Sequence, residues 1–221
     1  MSKKGAEYIG SKQQRRLDFY GGWAIAALMA APAGVIAPAT MWEHRTTHPL
    51  HEEERAGIGG RPFRFRKFKT MDDKPSKSSQ PEVPFGGSNH PDAHDFDIAL
   101  RRRGLDEIPQ ILDVIAGRIS LVGIRPLAQS YKDYYQSFVP AEQFSEWNEI
   151  SLLHTGLTGV GQLYGKQFPV HNQAVIKKQV TLEIAAFDHS SLLNDVRIIR
   201  ATAGLLLRPD QVVLPHIEGV G

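Results

Sequence analysis

Asp106 and Glu107 stand side by side immediately ahead of Ile108-Pro109. The residue before a proline is driven out of the helical region, while proline itself suits a first helical turn, so this spacing predicts a helix starting near Pro109. Ile111, Leu112 and Ile115 give that helix an apolar face, and Gly117 is placed to end it. The two carboxylates then meet free backbone N–H groups and the positive end of the helix dipole, which would keep them ionised and fixed in direction. Taken alone, such a pair reads as an ordinary cap. Arg101, Arg102 and Arg103 precede it directly, and at least one of these belongs to a solvated face.

The elements that must carry this pair come from a chain of 221 residues, enough for one medium domain with appendages. Its 26 basic and 24 acidic residues nearly balance, so bulk charge does not point to nucleic acid. The absence of cysteine excludes a disulfide framework, a zinc ribbon and thiol chemistry. A basic segment, 1–17, holds Lys3, Lys4, Lys12, Arg15 and Arg16, and the run from Phe19 to Trp42 carries no charge. This run alone is long enough to cross a bilayer. A cleaved leader is disfavoured because too much polar chain precedes the apolar core, although Ala37-Pro38-Ala39 offers a cleavage-like site. A straight span would place two lysine- and arginine-rich flanks on opposite sides, against the positive-inside tendency. The reading adopted is a re-entrant helix over 18–42, bent at Pro32, with Trp23 and Trp42 at the interface.

Residues 43–60 read as a polar connector. In the following stretch Phe63 and Phe65 alternate with Arg64 and Arg66, the pattern of a strand with one greasy and one cationic face. A protected edge strand and a platform for single-stranded nucleic acid share that pattern. Residues 72–97, with Pro75, Pro81, Pro84 and Pro91, read as a mobile loop. His90, Asp92, His94, Asp95 and Asp97 cluster within it, but Pro91 breaks helical spacing and no second cluster completes a metal site. Leu127 to Ile150 predicts two helices divided at Pro140, with Tyr131, Tyr134, Tyr135, Phe138, Phe144 and Trp147 as packing groups. The glycines between His154 and Lys166 indicate tight turns and match no phosphate-binding fingerprint. Amphipathic helices over Val170–Asp188 and Leu192–Leu207 follow, the second with Asp195 as a structural ion-pair partner, and 208–221 is a tail. The class expected is α+β and mostly helical.

The string Leu105 to Pro126 resembles the core motif of the bacterial sugar transferases, small polyprenyl-phosphate phosphoglycosyl transferases. There the pattern runs Leu-Asp-Glu-Leu-Pro-Gln, a short helix, then Gly-x-Met-Ser-Leu-Val-Gly-Pro-Arg-Pro. This chain keeps the acidic pair, Pro109, Gln110, Gly117, Ser120 to Gly123, Arg125 and Pro126, and departs at Arg118, Ile119 and Ile124. Lys67-Phe68-Lys69-Thr70-Met71 is similar to the family's Lys-Phe-Arg-(Ser/Thr)-Met. His154 to Lys166 and Asp195 to Ile199 are similar to two later motifs, with His154-Thr155 replacing the start of the first and Lys166 where arginine is usual. The stretch around Glu53 departs most, since acids replace a Phe-Phe-Arg-Gln pattern.

The resemblance implies a monotopic enzyme of the bacterial cytoplasmic membrane. It would comprise a re-entrant proline-kinked membrane helix, a β-hairpin-like basic strand region and a small helical catalytic domain, 43–207, facing the cytosol. Such an enzyme moves a phosphosugar from a nucleotide sugar, typically UDP-linked, to a polyprenyl phosphate, releasing UMP and initiating a surface glycan or exopolysaccharide. Asp106 would be the nucleophile and a ligand of Mg2+, and Glu107 a metal ligand or a participant in the second half-reaction. Lys67, Lys69, Arg101 and Arg125 would contact phosphate, and Gln162 would line the site. Membrane lipid is the expected surroundings and nucleic acid is not a partner. A catalytically inactive, membrane-associated relative is the alternative. The motifs encode neither the sugar nor an oligomeric state.

Overall fold

The computed structural model describes residues 3–70, 94–168, 172–208, 211 and 214–217. A short helix, α1 (Lys3–Tyr8), turns at Gly10, whose φ of 75° is open to glycine, into α2 (Lys12–Glu43). Ser11 caps α2 by accepting from the Gln14 N–H. At 32 residues α2 is about 48 Å long. It begins six residues before the expected membrane segment, so the end of the basic stretch is helical and continuous with the apolar run. Pro32 and Pro38 lie inside it. Each removes the amide that would have bonded the carbonyl four residues back, at Leu28 and Gly34.

The two halves of α2 meet the rest of the chain differently. Near its start, Asp18 is buried and accepts from the Leu121 N–H at 2.7 Å. Arg15 donates to the carbonyls of Val114 (2.9 Å) and Ile115 (2.5 Å), and Gln14 touches His154 at 3.2 Å. Near its end, Ile36 is buried against Phe68 and Leu100. Between and around these contacts Tyr20, Trp23, Leu28, Val35 and Trp42 face outward.

The acidic stretch that reads as a connector is a strand. β1 (Leu50–Ala56) pairs antiparallel with β2 (Pro62–Phe68), setting Glu53 opposite Phe65 and Arg55 opposite Phe63. Glutamates are poor strand formers, but Glu52 lies across from Arg66 and binds it at 2.9 Å, and cross-strand charge supplies what propensity lacks. The alternation of β2 is as expected, with Phe63 and Phe65 buried and Arg64 exposed.

Most of the expected loop, 71–93, lies outside the described residues, as do His90 and Asp92 of the histidine cluster. Residues 95–97, however, are already helical, opening α3 (Asp95–Arg103). His94 and Asp97 serve there as a capping box, and Asp97 also meets His44 at 3.0 Å. After α4 (Ile111–Ile115), a buried strand β3 (Ser120–Val122) runs parallel to β4 (Gly156–Thr158). A side chain at Gly123 would lie 2.5 Å from the His154 carbonyl oxygen, so the two strands approach only because glycine stands there.

Around this ribbon pack α5 (Gln129–Gln136), α6 (Ala141–Leu153), α7 (Val160–Gly165), α8 (Gln173–Asp188) and α9 (Leu192–Leu207). Pro140 separates α5 from α6, and Tyr135 and Trp147 stack 5.5 Å apart in their core, as packing groups should. Asp195 accepts from the Tyr8 hydroxyl at 2.7 Å, so its recorded partner is a tyrosine rather than a cation. Two small sheets in a mostly helical chain match the α+β class.

Candidate active site

α3 stops at Gly104, whose φ of 70° turns the chain sharply. It passes at once into a 3-10 segment, Leu105–Gln110, that runs on into α4. Asp106 and Glu107 therefore sit inside a helical turn, not ahead of one, and Pro109 lies near its end. The tight 3-10 path keeps both carboxylates at the junction of three elements: β2, this turn, and the segment after β3.

Burial, not a helix dipole, dominates the pair. Asp106 is 7 % exposed, and among the described residues no hydrogen bond reaches its carboxylate. Burial and the neighbouring Glu107 push its pKa above the usual range, against Lys166, Lys67 and Arg125. Desolvation is therefore the larger influence on Asp106, ahead of any stabilisation by the free amides of a helical turn. Glu107 behaves oppositely. Burial raises it too, but Arg125, by charge and by a 2.5 Å contact from Nη2, outweighs that and holds its pKa low. The two adjacent carboxylates are thus shifted in opposite directions, Glu107 down by its guanidinium partner and Asp106 up by burial.

The cations come from separate parts of the chain. Lys67 ends up on the same face of β2 as Phe63 and Phe65. Burial lowers its pKa, partly offset by Asp106. Arg125 follows β3 and lies 5.4 Å over the Phe65 ring. Arg101, in the last turn of α3, donates from Nε and Nη2 to the hydroxyl and carbonyl of Thr70, both at 2.7 Å. That ties α3 to the end of β2. Lys69, just past β2, is half-buried and its backbone N–H bonds Pro49. Gln162 on α7 turns its amide to the Leu157 carbonyl at 3.0 Å, and its own Oε1 is buried without a hydrogen bond.

Two residues escaped the sequence reading. Arg55 lies 3.8 Å over Phe65, donates to the Pro126 carbonyl at 2.7 Å, and is gripped by Glu53 at 2.7 and 3.1 Å. Once β1 is recognised as a strand, alternation puts it on the inner face, but three glutamates hide the strand. Lys166 at the end of α7 bonds the Arg101 carbonyl at 3.2 Å and is the foremost cation acting on Asp106. Its signal was available, as it stands where the resembled motif carries arginine.

No group of three or more metal-ligating His, Asp or Glu side chains assembles among the described residues. A magnesium ion needs less than that from protein when a substrate phosphate supplies the remaining oxygens, so an Asp-Glu dyad with one unbonded carboxylate fits it.

A model of the family described as bacterial sugar transferase matches residues 10–209. A UDP-glucose:undecaprenyl-phosphate glucose-1-phosphate transferase of Caulobacter vibrioides is 28% identical over 198 residues, covering 90% of this chain and 71% of that protein. One of the same description from Xanthomonas campestris is 30% identical, over 68% of this chain but only 30% of its own length. An exopolysaccharide production protein of Rhizobium leguminosarum is 26% identical, over 69% of this chain and 74% of its own. With its acidic dyad, its cations and nearly its whole length inside that match, the chain belongs to the bacterial sugar transferase family.

Proposed function

We propose that the chain transfers a sugar phosphate from a UDP-sugar to undecaprenyl phosphate or a similar polyprenyl phosphate. The relatives' names supply both substrates. The observation that carries the reading is the buried Asp106, without a hydrogen bond to its carboxylate among the described residues, beside a Glu107 paired with Arg125 and acted on by Lys67 and Lys166. An oxygen of Asp106 attacks the phosphorus that bears the sugar, the bond to the UMP oxygen breaks, and UMP leaves with that electron pair. The lipid phosphate then attacks the same phosphorus and expels the Asp106 carboxylate, so one hard displacement becomes two easier ones. Two anions 4 Å apart repel by roughly 4 kcal/mol at an effective dielectric near 20, and Lys67, Arg101, Arg125, Arg55 and Lys166 offset this. Mg2+, held by Asp106 and by Glu107 where Arg125 yields it, would supply charge neutralisation for the leaving UMP.

A seat at the bilayer surface is supported by α2, the one helix among the described residues long and apolar enough to cross a membrane. Its two ends both pack on the same body, Asp18 on β3 and Ile36 on β2 and α3. That supports entry and exit by one face, with 43–207 in the cytosol, whereas the expected tail is corrected at Ile217, which is buried in the core beside Leu205. A soluble donor and a lipid acceptor then reach one site. The test is mass spectrometry of protein incubated with UDP-glucose and magnesium while the lipid is withheld. A phosphosugar adduct on Asp106, absent from Asp106→Asn, is the expected result. Turnover by Asp106→Asn at the wild-type rate overturns the assignment.

A further inference from the structure

Two guanidiniums share the Phe65 ring, Arg55 at 3.8 Å and Arg125 at 5.4 Å. Like charges so close need compensation, and each has its own carboxylate. Arg125 has Glu107, a member of the dyad. Arg55 has Glu53, which lies in the stretch that departs most from the family pattern and arrives from β1 two residues away on the same face. Both Nε and Nη2 of Arg55 go to a single oxygen of Glu53, Oε2. The Glu53 side chain is 35% exposed against 9% for Arg55. Glu53 is thus the more open partner of a largely buried Arg55, and its other oxygen receives no hydrogen bond among the described residues.

We infer that Glu53 is a positioning residue that fixes Arg55 in place and cancels part of its charge, setting how tightly the site holds phosphate. This rests on the two-step reading above, because there the same cations serve two anionic substrates in turn. UMP must leave before the lipid phosphate can enter. A site with Lys67, Arg101, Arg125, Arg55 and Lys166 opposed only by the dyad would retain its first product. Glu53 weakens that grip without removing the guanidinium that orients the diphosphate.

The test uses two variants of the full chain in detergent micelles, with inorganic pyrophosphate and UMP as probes. Glu53→Gln keeps an acceptor for Arg55 and drops the charge. It should bind pyrophosphate roughly tenfold more tightly at low salt, a gain that shrinks as salt is added. UMP inhibition should strengthen, and kcat and the donor KM should fall together. Glu53→Asp keeps the charge and should gain no affinity. If Glu53→Gln binds pyrophosphate no better than wild type, or if both variants weaken alike, Glu53 is only structural and the inference is overturned. The two-step reading fails separately, when wild type releases no UMP from any UDP-sugar although Glu53→Gln still tightens on pyrophosphate.

Discussion

Asp106 and Glu107 are neighbours in the chain yet differ in proton affinity because one has a guanidinium and the other does not. Asp106 must be anionic to attack, and its folded pKa is raised. Activity should accordingly fall as pH drops through a value above the ordinary aspartate range, instead of persisting to pH 4. Lys166→Met removes the foremost cation on that carboxylate and should move the acid limb of kcat/KM further up, read from a pH–rate profile. A shift downward would show that Lys166 does not act on Asp106. Arg125→Ala strips the half-buried Glu107 carboxylate of its ion-pair partner. The expected cost is about 3–5 kcal/mol of folding stability, measurable by denaturant titration, in addition to lost turnover.

At the scale of elements, the hairpin brings Lys67 and Arg55 to the dyad, and its seat is a close one. A side chain at Gly57 would lie 2.5 Å from the Arg118 carbonyl oxygen, which also accepts from Ile58. Gly57→Ala should lift the hairpin and lower kcat/KM by about 10- to 100-fold, at a stability cost of about 1–3 kcal/mol. Helix α8 offers a different check. Burial raises Glu183 to about 7 although it accepts from Trp147 and Gln179. A carboxylate with a raised folded pKa stays protonated while the unfolded chain ionises, so stability falls as pH climbs from about 4.5 to 7. Glu183→Gln removes that loss, and a turned Gln179 amide, whose Oε1 now lacks a hydrogen bond, can accept from it. The variant should be about 2–3 kcal/mol less penalised than wild type on going from pH 5 to pH 8, by thermal or chemical unfolding. These elements were unevenly legible. Helix α9 runs Leu192–Leu207 as the amphipathic pattern predicts, because a long periodic face and a serine cap agree. β1 was hidden by its glutamates, β3 is short and buried throughout, and β4 at three residues is too short to show an alternation. The 3-10 start at Leu105 was missed because Pro109 suits a first turn equally well.

For the whole molecule, the outward face of α2 is the surface on which the proposed membrane seat depends. Leu28 and Val35 are each 69% exposed and suited to lipid, so a charge at either should shift the protein from the membrane pellet towards the supernatant. Because the chain has no cysteine, Lys12→Cys and Thr46→Cys report topology cleanly. Both should react with an impermeant maleimide in inverted vesicles and neither in right-side-out ones. Labelling from opposite sides would establish a straight span. A longer-range tie has its own consequence. The Tyr8 hydroxyl reaches Asp195, 187 positions away, and any side chain at Gly5 would collide with the Phe187 and Asp188 carbonyls. Docking of α1 therefore waits on residues about 187 positions downstream in α9, so the first turn closes onto the body only after a long-range contact forms, a slow kind of step in folding.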